Sequence, residues 1–144
     1  MMMKILLILF LISFSFLGFT QSYKDNFNKN LTSQQRKDLK DKIHEYSQMI
    51  KEDNNNPTLF LNRGVVYSKL GYHTEAISDY NSALKIDSTM SQAYYNRGLS
   101  RSRFRYSKRS CADIKKSYKL GLDIGRSTYI KHCRMYFSEL GELK

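Results

Sequence analysis

Cys111 and Cys133 are the only cysteines of the chain and stand 22 residues apart. Two thiols are the minimum for one bridge, and closing a loop of that length stabilises a fold by roughly 3 kcal/mol when the geometry is unstrained. A bridge requires an oxidising compartment. The alternative leaves both cysteines as reduced side chains that simply pack. Zinc is poorly served: His132 adjoins Cys133, but neighbouring residues on a helix point about 100° apart and a fourth ligand is not evident. The remaining histidines, His44 and His73, lie on other segments. No Ser/His/Asp order, phosphate loop or HExxH pattern accompanies them. The sequence therefore assigns no catalytic residue, no metal and no cofactor, and reads as non-enzymatic.

Charge is the second chemical resource. Between Arg97 and Arg134 twelve Lys or Arg face only Asp113 and Asp123. The densest part is Arg97, Arg101, Arg103, Arg105, Lys108 and Arg109, a candidate anion-binding set. Such a patch suits an acidic protein surface, a lipid headgroup or a polysaccharide. The plainer reading is a solvated face that aids solubility. Nucleic acid is not favoured, because aromatic stacking platforms are not evident.

These residues must be held by something. The chain has 144 residues and a formal net charge of +11, with an apolar fraction of 41%, which suggests one folded domain. Met1 to Lys4 give a positive start, and Ile5 to Phe19 give an apolar run too short for a comfortable membrane span. Residues 1–20 are expected to be a signal peptide, cleaved near Thr20 or Gln21, so that the protein is exported to a periplasm, cell envelope or medium. An uncleaved N-terminal anchor is the lesser alternative. Residues 21–32 are polar and read as a flexible leader. Thr32 or Ser33 can cap a helix, with Gln35 or Arg36 in its first turn. Leu39, Ile43, Tyr46 and Ile50 then share one face, and the Asp53–Pro57 stretch ends the helix.

From Pro57 the pattern becomes two short amphipathic helices around Gly71, and it starts again at Ser91. Asn62-Arg63-Gly64 recurs as Asn96-Arg97-Gly98, an offset of 34, and Asp79 recurs as Asp113 at the same offset. A fixed period of this size marks a stacked helical repeat. The first unit has Phe60, Gly64, Tyr67 and Gly71 in its first helix and turn, then Ala76, Tyr80 and Ala83 in its second. At these positions it resembles the tetratricopeptide repeat family, except that Ser88 stands where a proline is expected. The second unit keeps Tyr94, Gly98, Ser110, Ile114 and Ser117, but Arg101 replaces a tyrosine and Arg105 replaces the turn glycine.

The resemblance implies an all-α solenoid of antiparallel helix pairs over residues 33–140. It divides into a half-repeat at 33–53, a repeat at 57–90, a degenerate repeat at 91–121 and a capping helix at 127–140. That last helix is expected to pack through Tyr129, Ile130, Cys133, Tyr136 and Phe137. Secreted members of the family with a cysteine in this helix and one near the C-terminus look similar, which favours the Cys111–Cys133 bridge. Arg63 and Arg97 are expected to pair with Asp79 and Asp113. The first helices are expected to line a concave groove in which Asn62, Val65, Lys69, Tyr95, Asn96, Leu99 and Arg103 meet an extended peptide. Asn supplies donor and acceptor to successive amides, and Lys69 and Arg103 supply charge for carboxylates. The expected function is a protein-binding scaffold whose partner is an unidentified protein or peptide, with self-association through a repeat end as a further possibility. The alternative is an electrostatic binder of an anionic envelope polymer or membrane surface through residues 97–134.

Overall fold

The computed structural model describes residues 31–136. The expected signal peptide, most of the leader, Phe137 and the end of the expected cap lie outside the described residues. Among those described there are six α-helices: α1 Ser33–Glu52, α2 Pro57–Lys69, α3 His73–Ile86, α4 Ser91–Arg101, α5 Lys108–Lys119 and α6 Asp123–His132. A short 3-10 turn, Arg134–Tyr136, follows. None of these helices is long and apolar enough to cross a membrane.

Side chains fix where the helices begin. Thr32 caps α1: its hydroxyl accepts from the Gln35 N–H at 3.1 Å, and the Gln35 side-chain carbonyl accepts from the Thr32 N–H at 2.8 Å. Asn56 caps α2 by accepting from the Thr58 N–H, with Pro57 in the first turn. Ser107 and Ser110 cap α5 reciprocally. α2 ends in a Schellman turn. Gly71 takes φ +82°, Tyr72 N–H donates to Tyr67 O, and Gly71 N–H donates to Ser68 O.

The replacement of the second turn glycine by Arg105 has a visible result. α4 stops at Arg101 and the chain runs without helix through residues 102–107. Without a glycine to take positive φ, the tight turn of the first repeat is closed to it, and a longer open connection takes its place.

Consecutive helices pack as antiparallel neighbours, α2 with α3, α3 with α4, α4 with α5 and α5 with α6. The crossings are set by small residues. A Cβ on Gly64 would lie 2.7 Å from the Tyr80 ring, and one on Gly98 would lie 2.8 Å from Ile114 Cγ1. One core holds Leu61, Ala76, Tyr80, Ala83, Leu84 and Ala93, with Phe60, Val65, Tyr67, Met90 and Tyr94 around them. A second holds Cys111, Ile114, Tyr129 and Cys133, with Tyr106 against them.

The last helix departs from expectation in two ways. It begins at Asp123, four residues before Ser127, and its α-helical part ends at His132. The cause is at Gly121 and Gly125, which do not bracket a link. Gly121, at φ +89°, ends α5 in a second Schellman turn, with Leu122 N–H donating to Ser117 O and Gly121 N–H to Tyr118 O. Gly125 is buried inside α6 at its crossing with α5, where a Cβ would come within 2.4 Å of Ser117 Oγ. Tyr129 and Cys133 face inward as expected, whereas Ile130 points outward and is 55% exposed.

Candidate functional site

Cys111 and Cys133 are joined, with Cα atoms 5.3 Å apart, and both are fully buried. The bridge fastens the end of α6 to α5.

Arg63 donates from Nε and Nη2 to the two carboxylate oxygens of Asp79, both at 2.8 Å. Arg97 does the same to Asp113 at 2.9 and 2.7 Å. These are the pairs the resemblance implies. Hydrogen bonding to Asp79 raises the Arg63 guanidinium above its ordinary value and outweighs burial, which disfavours the cation. The third nitrogen of each arginine reaches back one helix. Arg63 Nη1 donates to Ser47 Oγ on α1 at 3.0 Å, and Arg97 Nη1 donates to Asn81 Oδ1 on α3 at 2.8 Å. Ser47 and Asn81 are themselves 34 residues apart, so the same arginine straps each repeat to its predecessor. The Arg63 guanidinium also lies over the Phe60 and Tyr67 rings, and that of Arg97 over Tyr94.

This chemistry divides the expected anion-binding set. Arg97 is committed to Asp113 and Asn81, and Arg101 donates to Asp113 Oδ2 at 2.5 Å. Both are therefore internal ion-pair partners rather than part of an open patch. Arg103 contacts the His73 ring, linking the 102–107 connection to the start of α3. Arg105, Lys108 and Arg109 are exposed.

His73 is half-buried, and burial first, then the Arg103 charge, push its pKa down to about 4, with Glu75 opposing in part. The sign follows from linkage. The unfolded chain takes up this proton near pH 6.5 and the folded chain only near pH 4, so stability falls as the pH drops through that window. Melting curves of wild type and His73→Gln are expected to diverge between pH 6.5 and 4, with wild type losing more. Parallel pH dependences would contradict the assignment.

On the expected groove, Asn62 and Asn96 are half-buried, and neither amide side chain bonds to another described residue. Val65 contributes mainly to the first core and Lys69 is exposed. Tyr95 and Leu99 line a cavity of about 240 Å³ between α4 and α6, completed by Tyr106, Ser127, Thr128, Lys131 and His132. Tyr95 Oη and Thr128 Oγ1 are hydrogen-bonded at 3.2 Å, and the Tyr106 and His132 rings stack at 4.5 Å. Burial, with the neighbouring Tyr95, raises the Tyr106 hydroxyl above its ordinary value. The part that α6 plays in this cavity is not legible from the sequence, since it depends on how that helix lies beside α4. The cavity has an aromatic wall and a single cation, Lys131, at its rim. Among the described residues no three His, Cys, Asp or Glu side chains cluster to hold a metal.

The family model described as tetratricopeptide repeat matches residues 57–90, the segment that contains Gly64, Gly71, Ala76 and Ala83. Residues 57–90 thus match one tetratricopeptide repeat. Among solved structures it is similar to the Arabidopsis OM64 TPR domain, with a TM-score of 0.62 at 22% identity over 77% of this chain and 91% of that one. At that identity the likeness speaks to the fold. No curated protein sequence matches. Tetratricopeptide repeats serve in general as protein-binding modules.

Proposed function

We propose that this repeat protein is a non-enzymatic scaffold that holds an extended protein or peptide segment against the concave side of α2 and α4. The observation that carries this reading is the pair Asn62 and Asn96. They are one repeat apart and half-buried, and their side-chain amides make no hydrogen bond to the described residues. A polar group partly withdrawn from water gains from a partner that pairs both its donor and its acceptor, and a peptide backbone offers both. The cavity walled by Tyr95, Leu99 and Tyr106 shares α4 with Asn96 and in this reading takes an apolar side chain of the same segment.

Selection from a displayed random-peptide library tests this. Enriched peptides are expected to bind the Asn62→Ala, Asn96→Ala double variant about tenfold or more weakly, while its melting temperature stays near wild type. Their affinity should change little with salt, since the contacts are amide and apolar. Peptides that bind both proteins equally would remove the asparagines from the site.

A further inference from the structure

A second surface lies where the 102–107 connection meets the end of α6. Tyr136 Oη donates to the Tyr106 carbonyl at 2.7 Å, and Tyr106 stacks on His132, so the two segments lie side by side. Three large apolar side chains are turned outward here: Phe104 is 79% exposed, Met135 74% and Ile130 55%. Beside them in sequence stand Arg105, Lys108, Arg109, Lys131 and Arg134, all exposed, and Ile130, Lys131, Arg134 and Met135 line one shallow depression. Neither 102–109 nor 130–136 contains an acidic residue. Lys108 and Arg109 also occupy the first turn of α5, where the helix dipole disfavours cations and favours an external anion.

We propose that this surface docks on a bilayer carrying anionic headgroups, with Phe104 and Met135 entering the headgroup–acyl boundary and the five cations meeting lipid phosphates. The claim is independent of the groove. The combination selects the partner. A soluble polyanion would satisfy the charges and leave the apolar tips in water. A neutral bilayer would accept the tips and leave the charges without counterparts. An anionic membrane interface meets both, since binding there scales with buried apolar area plus attraction to charged lipid. The apolar groups project outward, which suits a deformable plane better than a rigid cleft.

The chain contains no tryptophan, so Phe104→Trp gives a single local reporter. It reads this loop, and not the apolar run at residues 5–19. Full-length Phe104→Trp is mixed with vesicles of phosphatidylcholine alone and with vesicles that also contain phosphatidylglycerol. The expected result is a blue-shifted emission, quenched by nitroxide-labelled lipid, only when phosphatidylglycerol is present. Adding Arg105→Gln, Lys108→Gln and Arg109→Gln should weaken partitioning of the reporter about a hundredfold, at roughly one headgroup interaction lost per cation. Three results would overturn the proposal. One is emission that stays solvent-like while the chain binds vesicles. Another is equal insertion into neutral vesicles. The third is binding of soluble polyglutamate with the reporter emission unshifted, which would assign the surface to an acidic macromolecule.

Discussion

Reduction of the Cys111–Cys133 bridge is expected to lower the melting temperature by about 12 to 24 °C. The bridge closes a 22-residue loop, worth roughly 3 kcal/mol in lost freedom of the unfolded chain. For a fold of about a hundred residues, each kcal/mol moves the midpoint by about 4 to 8 °C. The effect concentrates at the C-terminal end, because the second core consists of the two cysteines, Ile114 and Tyr129 with Tyr106 against them. Melting curves with and without dithiothreitol measure it. The Cys111→Ser, Cys133→Ser variant should melt low in both conditions. A wild-type midpoint indifferent to reductant would refute the bridge as a stabilising element.

Asp113→Ala should cost about 3 kcal/mol. The Asp113 side chain is 7% exposed and receives hydrogen bonds from both Arg97 and Arg101. Removing one member of a buried ion pair typically costs about 3–5 kcal/mol, because a charge remains without its counterion. The Arg97 and Arg101 side chains are 15% and 27% exposed, so water still reaches them, which places the effect at the lower end of that range. Two cations would then face each other across the vacated position. Asp79→Ala strands only Arg63 and should cost less. Replacing Asp113 by Asn together with Arg97 and Arg101 by Met should restore part of the loss, since no bare charge is left. Urea unfolding of the four proteins checks the order, and an Asp113→Ala protein as stable as Asp79→Ala would contradict it.

What is legible in the sequence is what the 34-residue period carries. Gly64 and Gly98 at the crossings, Gly71 in its turn, and the pairs of Arg63 with Asp79 and Arg97 with Asp113 all follow from matching one unit to the next. The straps from Arg63 to Ser47 and from Arg97 to Asn81 obey the same period but escape such matching, because serine and asparagine share little beyond a polar oxygen. The start of α6 escapes for a related reason. Lys69-Leu70-Gly71 recurs as Lys119-Leu120-Gly121, the signal of a second helix-ending turn, but at a spacing outside the main period. Gly125 then reads as loop when it is a crossing residue. The contact between Arg103 and His73 has no sequence signal, since it depends on the path of the chain through residues 102–107. Once that path is known, a uniform basic patch separates into arginines held inside the fold and cations left at the surface.

The two ends of the array are secured by different means. α1 has no buried side chain, and Arg63 reaches it through a single bond to Ser47, while α6 is tied covalently to its neighbour. Heat or tension should therefore undo the molecule directionally, peeling from the first helix and stopping at the sulfur clasp. Refolding would then start from a template already in place, rigid on one side and yielding on the other.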